Sequence, residues 1–84
     1  MMSSSPWDNR FEELLRGVLR LLPPEEPLRP DLDLARAGLD SLETVELLVS
    51  LEDAYGITIP DTLLVPETFL TPDSLWKVVS PLRG

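Results

Sequence analysis

An all-α bundle of three main helices plus one short helix is the fold this sequence predicts, on three observations. Apolar residues recur at helical spacing in three separate stretches, and each stretch is bounded by capping residues or proline. With 84 residues, 43% of them hydrophobic, the chain has room for one domain with a single core.

The first helix is expected from about Trp7 to Leu22. Phe11, Leu14, Leu15, Val18, Leu19 and Leu22 fall at i, i+3, i+4, i+7, i+8 and i+11, one face of a helix. Asp8 or Asn9 caps its start, and Pro23-Pro24 stops it. Arg10, Glu12, Glu13, Arg16 and Arg20 line the other side, and Gly17 is a mild internal weakness. A connection from Pro23 to Leu39 follows, interrupted by Pro23, Pro24, Pro27 and Pro30, which disfavour a regular helix. Leu28, Leu32, Leu34 and Leu39 are expected to tuck into the core, with a short turn at residues 34–37 before Gly38.

The second helix runs from Ser41 to about Tyr55. Asp40 at the N-cap and Glu43 three residues on make a capping box, and Gly56 supplies a left-handed C-terminal cap. Thr44, Leu47, Leu48, Leu51 and Tyr55 share the side that faces the core. Leu42, Glu46, Val49 and Asp53 fall on the opposite side, flanked by Glu43, Ser50 and Glu52. Residues 57–60 read as extended and half-buried, and Pro60-Asp61 opens a short helix through Val65, ended by Pro66. The last helix starts with Thr71 as cap, Pro72 at the first helical position and Asp73 in the first turn. Its inward stripe is Leu75, Val78, Val79 and Leu82, and Trp7 and Trp76 read as packing at the edge of the core. Residues 1–6 are expected to be a flexible lead, and residues 7–84 a single domain.

Composition narrows the function. Without cysteine there is no disulfide or thiol chemistry, and without histidine the usual proton shuttle at neutral pH is missing. The usual zinc ligand set is absent as well, so no metal site is expected. Fifteen acids against seven bases give a net charge of -8, which repels nucleic acid and anionic lipid and steers towards basic surfaces. No apolar run approaches the roughly 20 residues of a membrane span, and Met1-Met2-Ser3-Ser4-Ser5 lacks a basic signal region. A cytoplasmic monomer, not an enzyme, is the expectation.

The chemistry centres on Gly38-Leu39-Asp40-Ser41-Leu42-Glu43. A serine at a helix entry with no general base beside it is a poor nucleophile but a good attachment point. Asp40-Ser41-Leu42, followed by Thr44-Val45-Glu46-Leu47 and closing with Ile59-Pro60-Asp61, resembles the acyl carrier proteins, and the likeness extends over nearly the whole chain. The resemblance implies that Ser41 takes a 4′-phosphopantetheine arm from coenzyme A through a phosphopantetheinyl transferase, with Asp40 completing the motif. The arm then holds acyl groups as thioesters. A phosphodiester at Ser41 suits the free N–H groups and dipole of a helix N-terminus.

The bland alternatives are a capping box at Asp40 and Glu43, an ordinary first-turn serine, and a solvated acidic face on the second helix. Against the last, Leu42 and Val49 stand amid that face, an apolar centre with a charged rim. In carrier proteins this helix meets basic patches on partner enzymes. Leu42, Glu43, Glu46, Val49 and Asp53 are therefore the expected recognition residues, and an acyltransferase, ketosynthase or adenylating ligase the expected partner.

Leu39-Asp40 before the serine leans towards the acyl type, which makes a freestanding carrier of a type II, polyketide-like secondary pathway the first expectation. The apolar stretch from Thr62 to Leu70 departs from fatty-acid carriers, and Glu67-Thr68-Phe69 resembles carriers of D-alanyl and other aminoacyl groups and of discrete secondary-metabolism systems. An aminoacyl or peptidyl carrier loaded by an adenylating ligase is the second. An unmodified helical adaptor that keeps the fold and has lost the chemistry is the alternative of another class.

Overall fold

Three helices with side-chain caps at their starts frame the structure, a computed structural model that describes residues 7–83. Helix α1 spans Asn9–Val18, α2 spans Ser41–Tyr55 and α3 spans Pro72–Leu82. Two 3-10 turns, Asp61–Leu63 and Pro66–Phe69, lie between α2 and α3. The expected lead at residues 1–6 lies outside the described residues. Among the described residues, no helix is long and apolar enough to cross a membrane.

Each helix starts where its local chemistry dictates. Asp8 caps α1 by accepting from the Phe11 N–H at 2.9 Å. Asp40 caps α2 and Thr71 caps α3, with a capping box completed by Glu43 and Ser74 respectively. Helix α2 ends as its sequence requires, on Gly56 in the left-handed conformation.

Helix α1 departs from expectation by stopping at Val18 rather than near Leu22. The chain peels away because Leu21 donates its N–H to Ala37 O at 3.0 Å, a bond to the long connection instead of to its own helix. Leu21 is left 70% exposed. A second difference lies beyond α2. Pro66 does not end a helix but opens the second 3-10 turn, its missing N–H and fixed φ suiting the first position. Two short turns thus replace the single short helix expected between residues 60 and 66.

One core joins the elements. Phe11 and Leu15 of α1, Leu47 and Leu51 of α2, and Leu75 and Val79 of α3 are buried, joined by Leu34 from the connection. Burying each such leucine contributes about 1.5–3 kcal/mol. Phe11 is the hinge of an aromatic cluster, with Trp7 at 5.7 Å and Trp76 at 4.9 Å between ring centroids. Both tryptophans are buried, at 5% and 8% exposure, and so are core residues rather than edge packing.

The proline-rich connection is pinned rather than loose. Leu28, Leu34, Ala37 and Leu39 are buried, Leu34 donates its N–H to Leu70 O, and Asp73 donates its N–H to Pro30 O. Across the top of the bundle, the Tyr55 hydroxyl donates to Asp8 Oδ1 at 2.6 Å and ties the end of α2 to the start of α1.

Candidate functional site

The entry to α2 is built from Gly38 onwards. Gly38 has φ +109°, a conformation that side chains resist, and a Cβ on it would lie 3.1 Å from Leu21 N and 3.2 Å from Arg20 N. The connection is therefore able to press against the Arg20–Leu21 backbone only because no side chain stands there. Leu39, 9% exposed, anchors the next residue in the core. Asp40 then turns the chain into α2, and Ser41 emerges exposed as its first residue.

Two carboxylates and one guanidinium hold this turn. Asp40 Oδ1 accepts from the Glu43 N–H at 2.9 Å, and Glu43 Oε1 accepts from the Asp40 N–H at 3.5 Å. The second oxygen of each carboxylate faces Arg20: Arg20 Nε lies 2.8 Å from Glu43 Oε2, and Arg20 Nη2 lies 3.5 Å from Asp40 Oδ2. The hydrogen bond from the Glu43 backbone, helped by the Arg20 charge, holds the Asp40 carboxyl below its ordinary value. Thr44 adds a bond from its hydroxyl to Asp40 O at 2.8 Å. The serine sits on a turn locked from both sides.

The outward face of α2 carries Leu42, Val45 and Val49, at 69%, 57% and 58% exposure. Glu46 and Asp53 are exposed beside them. Val45 was not among the expected recognition residues, although it lies three residues after Leu42 and four before Val49 and so falls on the same stripe. Glu43 was among them, yet its side chain is only 13% exposed and its carboxylate is turned to Arg20 and the cap. Glu52 is diverted too, accepting from the Ile59 N–H at 2.8 Å and fastening the segment that leaves α2.

Beside Ser41 opens a cleft of about 450 Å³. Ser41, Thr44, Val45 and Leu48 form one wall, and Leu64, Val65, Pro66 and Phe69 the other. The first set is a helical stripe at i, i+3, i+4 and i+7. The second comes from the apolar stretch after Pro60, held in shape by Thr68, whose buried hydroxyl donates to Leu63 O at 2.6 Å. Nothing local in the sequence marks Leu64 or Phe69 as neighbours of Ser41, since that proximity follows from how the 3-10 turns fold back onto α2.

Arg20 escapes sequence reasoning for the same reason. Helical periodicity assigns it to the outer side of α1, whereas it lies beyond the end of that helix and reaches the acids that flank Ser41.

Residues 9–75 match the family described as phosphopantetheine attachment site. Aminoacyl carrier protein 1 of Bradyrhizobium diazoefficiens is 30% identical over 71 residues, 84% of this chain and 79% of that protein. The D-alanyl carrier protein of Bacillus velezensis is 33% identical over 76 residues, 87% of this chain and 97% of that protein. Among solved structures, one chain of the crystal structure of Bradyrhizobium japonicum glycine:[carrier protein] ligase complexed with cognate carrier protein and an analogue of glycyl adenylate matches with a TM-score of 0.69. It is 29% identical, covering 87% of this chain and 95% of that one.

Proposed function

We propose, for a chain that belongs to the phosphopantetheine attachment-site family of carrier proteins, that Ser41 bears the 4′-phosphopantetheine arm and that the cargo is an aminoacyl group delivered by an adenylating ligase. As a member of that family the protein carries substrates and is not itself catalytic. The observation that carries the reading is Ser41 itself, an exposed hydroxyl on the first residue of a fully capped helix.

The residues fit the group. The positive end of α2 favours an anion at Ser41, and Asp40 rather than Ser41 makes the cap, so modification leaves the helix start intact. The cleft beside Ser41 offers an apolar surface along which methylene and methyl groups of the arm are able to lie. When bound, the arm supplies the terminal thiol that holds cargo as a thioester, a group this cysteine-free chain lacks.

The relatives favour the aminoacyl reading over the polyketide-like one. Two of them are aminoacyl and D-alanyl carriers, and the structural neighbour comes from a complex with a glycine ligase. The partners that follow are a phosphopantetheinyl transferase, which attaches the arm, and an adenylating ligase, which loads it. Both would dock on the stripe of Leu42, Val45 and Val49, with Glu46 and Asp53 meeting basic side chains at the rim. Glu43 contributes by holding the Ser41 turn in place.

Intact mass before and after incubation with coenzyme A and a broad-specificity transferase tests attachment, with Ser41→Ala alongside. The expected result is a gain of one phosphopantetheine, absent in the variant. Loading of the modified chain by candidate ligases with ATP, given labelled amino acids and labelled carboxylic acids in parallel, tests the cargo. Label from carboxylic acids alone would overturn the aminoacyl reading.

A further inference from the structure

Arg20 is the one cation in contact with the two acids that flank Ser41, among the described residues. As a plain surface ion pair it would merit little notice, because exposed pairs contribute little to stability. Its setting is more constrained than that. One oxygen of each carboxylate is spent on the capping box, and the other oxygen of each is turned to the same guanidinium. The backbone beneath Arg20 is fixed as well, since Leu21 N is bonded to Ala37 O and Gly38 rests against Arg20 N and Leu21 N. Gly38 and Asp40 are two residues apart, so the contact that seats the connection also sets where Arg20 meets the attachment turn.

Charge gives this arrangement a purpose. Asp40 and Glu43 place two negative charges around Ser41, and a phosphodiester attached there adds a third. In a chain of net charge -8, no other cation among the described residues pairs with this turn to offset them. The Arg20 side chain is 66% exposed, which leaves part of its guanidinium open to a group attached at Ser41, and a guanidinium has donors enough to serve a carboxylate and a phosphate oxygen together.

We propose that Arg20 is the built-in counter-ion of the modified serine, a positioning residue that holds the capping box before attachment and shares its charge with the phosphodiester afterwards. This rests on the reading of Ser41 as the attachment point. Arg20 then stabilises the modified protein more than the unmodified one, which a purely structural ion pair does not do.

The test compares thermal unfolding of the unmodified and fully modified chain, conversion being checked by intact mass, for the unsubstituted protein, Arg20→Gln and Arg20→Lys. Arg20→Gln is expected to lower the midpoint by about 4 °C before modification and by about twice that after it. Arg20→Lys, which keeps the charge, restores most of the extra loss, and 1 M salt removes it. The ³¹P resonance of the phosphodiester is expected to move in Arg20→Gln and to return towards its original position in Arg20→Lys. Equal losses in the two forms overturn the proposal and leave Arg20 as a brace of the helix cap. An Arg20→Lys variant that behaves like Arg20→Gln in the modified form overturns it also. Absence of any mass gain on the unsubstituted chain would instead sink the reading of Ser41, and this inference with it.

Discussion

Replacing Gly38 by alanine should be the most damaging glycine-to-alanine change among the described residues. At φ +109° the backbone lies outside the left-handed well that alanine tolerates at modest cost, and such strained positions cost about 1–3 kcal/mol. The added Cβ would also lie 3.1 Å from Leu21 N and 3.2 Å from Arg20 N, both backbone atoms. Leu21 N is bonded to Ala37 O at 3.0 Å and has little freedom to retreat. Overpacking of this kind adds about 1–3 kcal/mol, so the total is about 2–5 kcal/mol. For a domain of this size each kcal/mol moves the midpoint by about 4–8 °C, which puts the loss at about 8 °C or more on that scale. Gly56→Ala is the internal control: it also has positive φ, +63°, but a Cβ there meets nothing within 4 Å. Its cost is the left-handed term alone, about 1–2 kcal/mol. Thermal and urea unfolding of both variants checks the difference. A Gly38→Ala loss no greater than that of Gly56→Ala would refute the argument that the connection seats on Arg20 and Leu21 through a glycine.

The tie between Asp8 and Tyr55 predicts a pH profile. Burial pushes the Asp8 carboxyl up, but the Tyr55 hydroxyl, the Phe11 N–H and Arg83 and Arg10 outweigh it and leave it below its ordinary 3.8. Burial and the Asp8 partner raise Tyr55 well above its ordinary 10.0. The depressed carboxyl contributes stability above pH 4 or so that is lost as pH falls further, and the raised phenol contributes stability below about pH 10 that is lost as pH rises past it. Tyr55→Phe should cost about 1 kcal/mol at neutral pH and flatten the alkaline decline expected in urea unfolding; an unchanged alkaline limb would count against the bond. On the outward face, Glu46→Lys should slow modification or loading severalfold, and added salt should slow the unsubstituted protein too, with unaltered rates in both tests placing docking elsewhere. Val45→Asp should leave the unfolding midpoint within a few degrees, because Val45 is 57% exposed, while weakening partner binding measured by calorimetry; a large stability loss would show that it packs inward.

Much of the fold could be read from local chemistry. The α2 boundaries, its capping box and its glycine end each follow from a few adjacent residues, and so does the Thr71-Pro72 start of α3. The buried pair Leu47 and Leu51, and the exposed pair Leu42 and Val49, follow from a 3.6-residue period. Where a competing long-range bond decided the outcome, periodicity overreached: it carried α1 on to Leu22, four residues past the point where the Leu21–Ala37 bond draws the chain off.

The same division runs through the site. The sequence alone determined that Ser41 stands at the start of a capped, acidic helix, because capping is a matter of neighbours within one turn. It determined that the chain brings neither thiol nor imidazole of its own. Only the tertiary structure decided that the Glu43 carboxylate faces Arg20, that Arg20 belongs to the turn bearing Ser41, and that Val45 and Leu48 share a cleft with Val65 and Phe69. Those pairings join residues 17 to 24 positions apart, and a contact across such a distance depends on how a whole connection packs. Gly38 is the physical link between the two levels, a missing side chain whose meaning appears only when the backbone it must pass is in place.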